Sequence, residues 1–121
     1  MQNLTPSLYD QRDLLDRARF PRFGGTLSGA ATHFGKGANL SCGDEVTLEL
    51  QVEDRIILQA RHLTRGCAIC TASADMLCEH LLNTPLEPNA PEIEIAGLSP
   101  SRMKCKEVAL EAFRDLYSSY E

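Results

Sequence analysis

Three cysteines in three separate contexts, Ser41-Cys42-Gly43-Asp44, Gly66-Cys67 and Lys104-Cys105-Lys106, carry the chemistry this chain can do. A thiolate is a ligand for soft metal ions and a nucleophile, and each of these stands beside a turn or helix start that can aim it at a shared point. Glycine after Cys42 lets the backbone turn sharply, so the thiol before it and the Asp44 carboxylate after it can face one ion, with the carboxylate as a harder fourth ligand. A loop cysteine followed by a turn aspartate is the competing reading of that trio.

Cys67-Ala68-Ile69-Cys70 forms a C-x-x-C, a spacing shared by redox pairs and half-sites for zinc. No second C-x-x-C and no thioredoxin-like βαβ pattern accompany it, so Cys70 reads as a small packed residue or an auxiliary thiol beside the site. Cys67 falls at a predicted helix start, where backbone N–H groups and the helix dipole favour a thiolate. Lys104 and Lys106 flank Cys105 and are expected to lower its thiol pKa. Cys78 lies among Leu77, Leu81 and Leu82 and reads as core, while His33, His62 and His80 lack paired ligand spacing and read as surface or locally hydrogen-bonded histidines. Gly24-Gly25 and Gly35-Lys36-Gly37 do not form a phosphate loop.

The 121 residues suffice for one domain with a single core. A net charge of -5 argues against a nucleic-acid partner, because a phosphate backbone selects a basic face. No stretch approaches the roughly 20 apolar residues that span a bilayer, and the first residues lack the basic-then-apolar pattern of a secretory leader. A cytoplasmic protein with no membrane partner is therefore the expectation. Five cysteines, an odd number in a reducing compartment, point to metal or thiol chemistry in preference to a disulfide framework.

Several elements must position these residues. Thr5 as cap and Pro6 at the first helical position predict a helix over 6–20, ended by Pro21. Glycines at 24, 25, 29, 35 and 37 predict an irregular, mobile lead-in to the first cysteine, so that residues 1–41 read as a helix plus a glycine-rich approach within a single domain spanning 1–121. Val46, Leu48, Leu50 and Val52 alternate with polar residues, and with a β-rich run over 55–63 they predict an antiparallel hairpin turning at Glu53-Asp54. A helix over 68–82 follows, ended by Asn83 and Pro85, with Ile69, Ala72, Met76 and Leu77 toward one side. Glu92 to Ile95 is a short edge-strand candidate, and Ser99-Pro100 opens a last amphipathic helix that carries Cys105 in its first two turns.

In this order the motifs resemble the U-type iron-sulfur cluster scaffold family, comprising IscU, SufU and the N-terminal part of NifU. Phe20-Pro21-Arg22 is similar to its Asn-Pro-Arg signature, Cys42-Gly43-Asp44 to its Cys-Gly-Asp, and Gly66 to Ser73 to its Gly-Cys helix start. Met103-Lys104-Cys105 is similar to its last cysteine motif. The resemblance implies an α+β fold, a small three-stranded antiparallel sheet with helices packed on one side. It implies a site of Cys42, Asp44, Cys67 and Cys105 that holds zinc at rest, or iron or a nascent [2Fe-2S] cluster during assembly. The three cysteines become candidate persulfide acceptors, Cys105 first among them, with a cysteine desulfurase and apo iron-sulfur proteins as partners. The implied role is a scaffold, not an enzyme; the alternative is a zinc-dependent sulfurtransferase that stimulates the desulfurase without building a cluster, and a structural zinc module is a third reading. Lys104 stands where the IscU branch has histidine, the 86–97 connector is too short for the SufU insertion, and Leu98-Ser99-Pro100-Ser101-Arg102 stands where IscU proteins carry Leu-Pro-Pro-Val-Lys.

Overall fold

A computed structural model describes residues 8–39, 43–91, 93–95, 98 and 100–120. Strand β1 (Leu8–Tyr9) leads into helix α1 (Gln11–Arg19), then come β2 (His33–Asn39), β3 (Asp44–Glu53) and β4 (Ile56–Arg65). Helix α2 (Ala68–Leu81), strand β5 (Glu94–Ile95) and helix α3 (Pro100–Tyr120) complete the order. β2, β3 and β4 form an antiparallel sheet in that order, and β1 pairs with β5 in a separate parallel two-residue ladder. The α+β fold expected from the sequence is the one observed.

The hairpin forms because the period-2 pattern puts Val46, Leu48 and Leu50 on one face, where all three are fully buried. Its turn centres on Asp54 and Arg55, both at positive φ (53° and 66°), as a two-residue turn matched to strand twist requires. α2 is apolar nearly all round, with buried residues from Ile69 through Cys78, so the single stripe expected of it is a correction. It lies between the sheet, α1 and α3, and therefore has almost no face left for water.

Two further expectations are corrected. The first helix begins at Gln11, because Asp10 and Asp13 form a reciprocal capping box (Asp13 N–H to Asp10 at 2.9 Å, Asp10 N–H to Asp13 at 3.1 Å). The proposed caps Thr5 and Pro6 lie outside the described residues. The glycine-rich run read as irregular contains β2, whose Gly35 and Gly37 face α3. A Cβ on Gly35 would stand 2.1 Å from the Ala112 carbonyl oxygen, and one on Gly37 2.2 Å from that of Val108. Glycine is there so that a helix can lie directly on strand backbone.

The outer edge of β4 is covered around Ile57 and around His62. Gly25 N–H donates to the His62 carbonyl and His62 N–H to that of Phe23, while Ile57 N–H donates to the Thr84 carbonyl. A covered edge removes a template for strand addition.

Candidate metal centre

Asp44 opens β3, Cys67 caps α2 and Cys105 sits in the second turn of α3, so three elements far apart in sequence meet at one end of the sheet. One ligand atom from each lies within 4.8 Å of the other two. Cys42, the fourth predicted ligand, lies outside the described residues.

Local backbone explains how the meeting occurs. Gly43 adopts φ 77° and donates its N–H to the Asn39 carbonyl at 2.9 Å, closing the β2–β3 connection immediately before Asp44. Gly66 adopts a positive φ of 157° that a side chain rarely tolerates, and a Cβ there would stand 2.3 Å from Asp44 Oδ1. The space beside Gly66 is filled by the carboxylate itself. Cys67 N–H then donates to Asp44 Oδ1 at 3.1 Å, and the Cys67 thiol donates to Oδ2 at 3.8 Å. A helix N-terminal amide thus orients the acid while the thiol at the same residue shares its face.

The donor set suits a soft or borderline cation. Tetrahedral coordination at about 2.0–2.3 Å puts neighbouring donor atoms roughly 3.3 to 3.8 Å apart, and the Cys67–Asp44 separation of 3.8 Å lies at the upper end of that range. Asp44 is only 4% exposed, whereas Cys67 and Cys105 are half-buried, so a cation would be gripped from within and still be approachable. A cavity of about 260 Å³ lies alongside, lined by Ala38, Asn39, Gly43, Asp44, Glu45 and Arg65.

Cys105 corrects a sequence expectation. Its thiol is pushed up to about 12 by burial, then by its hydrogen bond and charge interaction with Cys67, then by Asp44. The flanking lysines do not reverse this; Lys106 Nζ instead donates to the Ile93 carbonyl at 2.9 Å. Without a cation Cys105 therefore keeps its proton, since a thiolate would stand unscreened beside an acid and a second sulfur.

Cys70 and Cys78 are fully buried in the core, and burial pushes the Cys78 thiol up. His33 bonds locally to Thr32 Oγ1, and burial lowers the pKa of half-buried His80. His62 is the histidine that local reading missed. It is 2% exposed, with Nδ1 2.8 Å from Thr64 Oγ1 and Nε2 3.2 Å from Asp75 Oδ1. Arg17 Nη1 reaches Asp75 Oδ2 at 3.0 Å, Phe23 N–H donates to Oδ1 at 2.8 Å, and Arg17 also pairs with Glu79. The only local sign of this network is a lone aspartate inside the apolar run Ala74-Asp75-Met76.

Fold and site together define an α+β domain with a carboxylate and two thiols gathered at one end of its sheet, and the chain belongs to the NifU-like N-terminal domain family, which matches residues 9–121. Among individual relatives, the IscU scaffold protein of Thermotoga maritima is 40% identical over 74 residues, 61% of this chain and 51% of that one. The chain thus spans about half the length of that relative. The IscU scaffold protein of Rickettsia prowazekii is 29% identical over 119 residues, covering 91% of this chain and 90% of its own. The N-terminal part of a NifU-like protein from Brucella abortus superposes with a TM-score of 0.68 at 17% identity, covering 88% of this chain and 90% of that one. A protein described as an assembly scaffold for the SUF system, from Fervidobacterium islandicum, gives 0.63 at 23% identity, covering 88% and 92%. At such identities these two show the fold. Among the described residues no helix is long and apolar enough to cross a membrane.

Proposed function

We propose that this chain receives persulfide sulfur from a cysteine desulfurase, carries iron and a nascent [2Fe-2S] cluster as cargo on Cys42, Asp44, Cys67 and Cys105, and passes the cluster to apo-proteins. What supports the reading is the convergence of Asp44, Cys67 and Cys105 within 4.8 Å from three separate elements. Zinc would occupy the same donors at rest, and the described cysteines, none in a disulfide, fit a reducing, cytoplasmic setting.

The residues themselves supply the exchange chemistry. A bound cation displaces the Cys105 proton, because only the thiolate ligates, and site filling is thereby tied to proton release. Asp44 is a harder ligand than the sulfurs, so its bond to a soft centre is the one most readily given up. A mixed set therefore holds cargo long enough to build it and loosely enough to release it.

Anaerobic reconstitution with iron and sulfide tests the reading. Visible sulfur-to-iron absorption is expected, and Asp44→Ala should lengthen the lifetime of the cluster and slow its transfer about tenfold or more. Transfer rates equal in the two proteins reject the assignment of Asp44. A colourless zinc protein that only accelerates the desulfurase would favour a zinc-dependent sulfurtransferase instead.

A further inference from the structure

Cys70 is a buried thiol that the ligand set does not use, and its place relative to Cys67 is informative. Cys67 is the N-cap of α2 and Cys70 its third helical residue. Cys67 has extended backbone (φ -75°, ψ 170°) and its side chain makes no capping bond, so its sulfur is not committed to the helix. Cys70 is fully buried and Cys67 packs against the same core cluster from the half-exposed side. The pair thus joins an accessible sulfur on the helix end to an enclosed one a turn inside, the asymmetry that a nucleophilic and a resolving thiol require.

Bond formation requires the two side chains to approach one another. Side chains three residues apart on a helix have Cβ atoms about 5–6 Å from one another. A disulfide needs about 3.5–4.5 Å, with Cα atoms about 4.4–6.8 Å apart. In α1 the same N-cap to third-residue relation lets the side chains of Asp10 and Asp13 each reach the other's backbone N–H. Rotation about χ1 and a small movement at the helix end span the remainder.

We infer that Cys70 resolves a persulfide carried on Cys67, releasing its outer sulfur as hydrosulfide inside the metal centre. The inference rests on the scaffold reading only for where that sulfur comes from. Cys70 sulfur attacks Cys67 Sγ; a bond forms between the two Sγ atoms, and the bond from Cys67 Sγ to the outer sulfur breaks. The outer sulfur leaves as HS⁻ with the proton Cys70 gives up. Two electrons pass from the thiol pair to the sulfane sulfur, so sulfide appears without an added reductant. A dithiol reductant resets the pair by exchange.

Among the described residues Cys105 is the other sulfur beside Cys67, but a Cys67–Cys105 bond would remove two ligands together and tie α2 to α3. A Cys67–Cys70 bond removes one, closes a loop of only four residues, and leaves Asp44 and Cys105 facing the departing sulfide.

The full chain, reduced and then freed of reductant under anaerobic conditions, is given one equivalent of sulfane sulfur, as inorganic polysulfide in one arm and from a cysteine desulfurase with cysteine in the other. Wild type is expected to lose two hydrogens in mass, to yield a Cys67–Cys70 disulfide on peptide mapping, and in the desulfurase arm to release about one sulfide per chain. Cys70→Ala is expected to retain the mass of one added sulfur and to release roughly tenfold less sulfide. A wild-type chain that keeps its persulfide, or whose disulfide maps to Cys105 or Cys42, overturns the inference; this mapping requires no variant. Resolution in the polysulfide arm with no modification in the desulfurase arm upholds the inference and removes the scaffold's sulfur source. Desulfurase-loaded persulfide that persists on Cys67 overturns the inference and leaves the scaffold reading intact.

Discussion

Two buried aspartates, Asp75 in the middle of α2 and Asp44 at the start of β3, show how one side-chain type is put to opposite uses in a chain this small. Asp75 is fully enclosed and takes hydrogen bonds from Arg17, the Phe23 amide and His62. Burial by itself would raise its pKa, but the bonds from His62 and from the Phe23 and Arg22 amides outweigh it and hold the carboxyl below 3.8. Asp44 is nearly as enclosed, yet among the described residues its one strong donor is the Cys67 amide, and the remainder are thiols. A carboxylate has about four lone-pair directions. Where strong donors saturate them the acid is structural; where thiols face them it is ready for a cation.

The largest expected difference is in stability. Asp75→Ala leaves Arg17 and His62 buried with a partner lost, and should cost on the order of 3–5 kcal/mol in chemical denaturation. The acid limb should change with it. Asp75 has a depressed folded pKa, so its stabilisation is complete above the ordinary value of 3.8 and disappears as pH falls through the folded value below that. The variant should therefore unfold with a shallower dependence on pH in that range; an unchanged acid limb breaks the comparison.

Next comes Gly66→Ala, which sets a methyl 2.3 Å from Asp44 Oδ1. The carboxylate must swing out, so the variant should reproduce the slow cluster transfer expected of Asp44→Ala while costing about 1–3 kcal/mol of stability. Transfer kinetics like wild type would show that Asp44 tolerates a second orientation.

Cys105 gives a smaller, graded effect. Because burial and its neighbours push the Cys105 thiol up to about 12, zinc affinity measured by competition with a chelator should rise with pH across the neutral range more steeply, by about tenfold per pH unit, in wild type than in Cys105→Ser, one proton leaving per ion from this residue. Equal slopes in the two proteins would mean that Cys105 does not ligate. The smallest effect is reserved for Ser73, whose buried hydroxyl has no hydrogen-bond partner among the described residues. Ser73→Ala should be neutral or stabilising by up to about 1 kcal/mol on thermal unfolding, in contrast to the loss expected two residues away at Asp75.

What could be read in advance follows from how local each cause is. Alternation at Val46, Leu48 and Leu50 and the punctuation of α2 by Gly66 and Pro85 are short-range signals, and they reported the hairpin and the helix. The Cys67 and Asp44 positions came from neighbouring turn residues, and the β4–α2 sequence delivers them to one end of the sheet. β2 was hidden because its glycines answer to Ala112 and Val108, more than seventy residues later. The Arg17–His62–Asp75 network was hidden for the same reason, since its members are contributed by α1, β4 and α2. The raised Cys105 pKa depends on sulfur and carboxylate neighbours that no adjacent residue announces, whereas the lysines beside it are visible and misleading.

Because α3 rests on the bare peptide groups of Gly35 and Gly37, its height above the sheet is set by main-chain atoms, which cannot change rotamer. Cys105 lies one turn before the Val108 contact, so the third donor inherits a fixed standoff, and repacking elsewhere in the interior leaves the spacing of the sulfurs undisturbed.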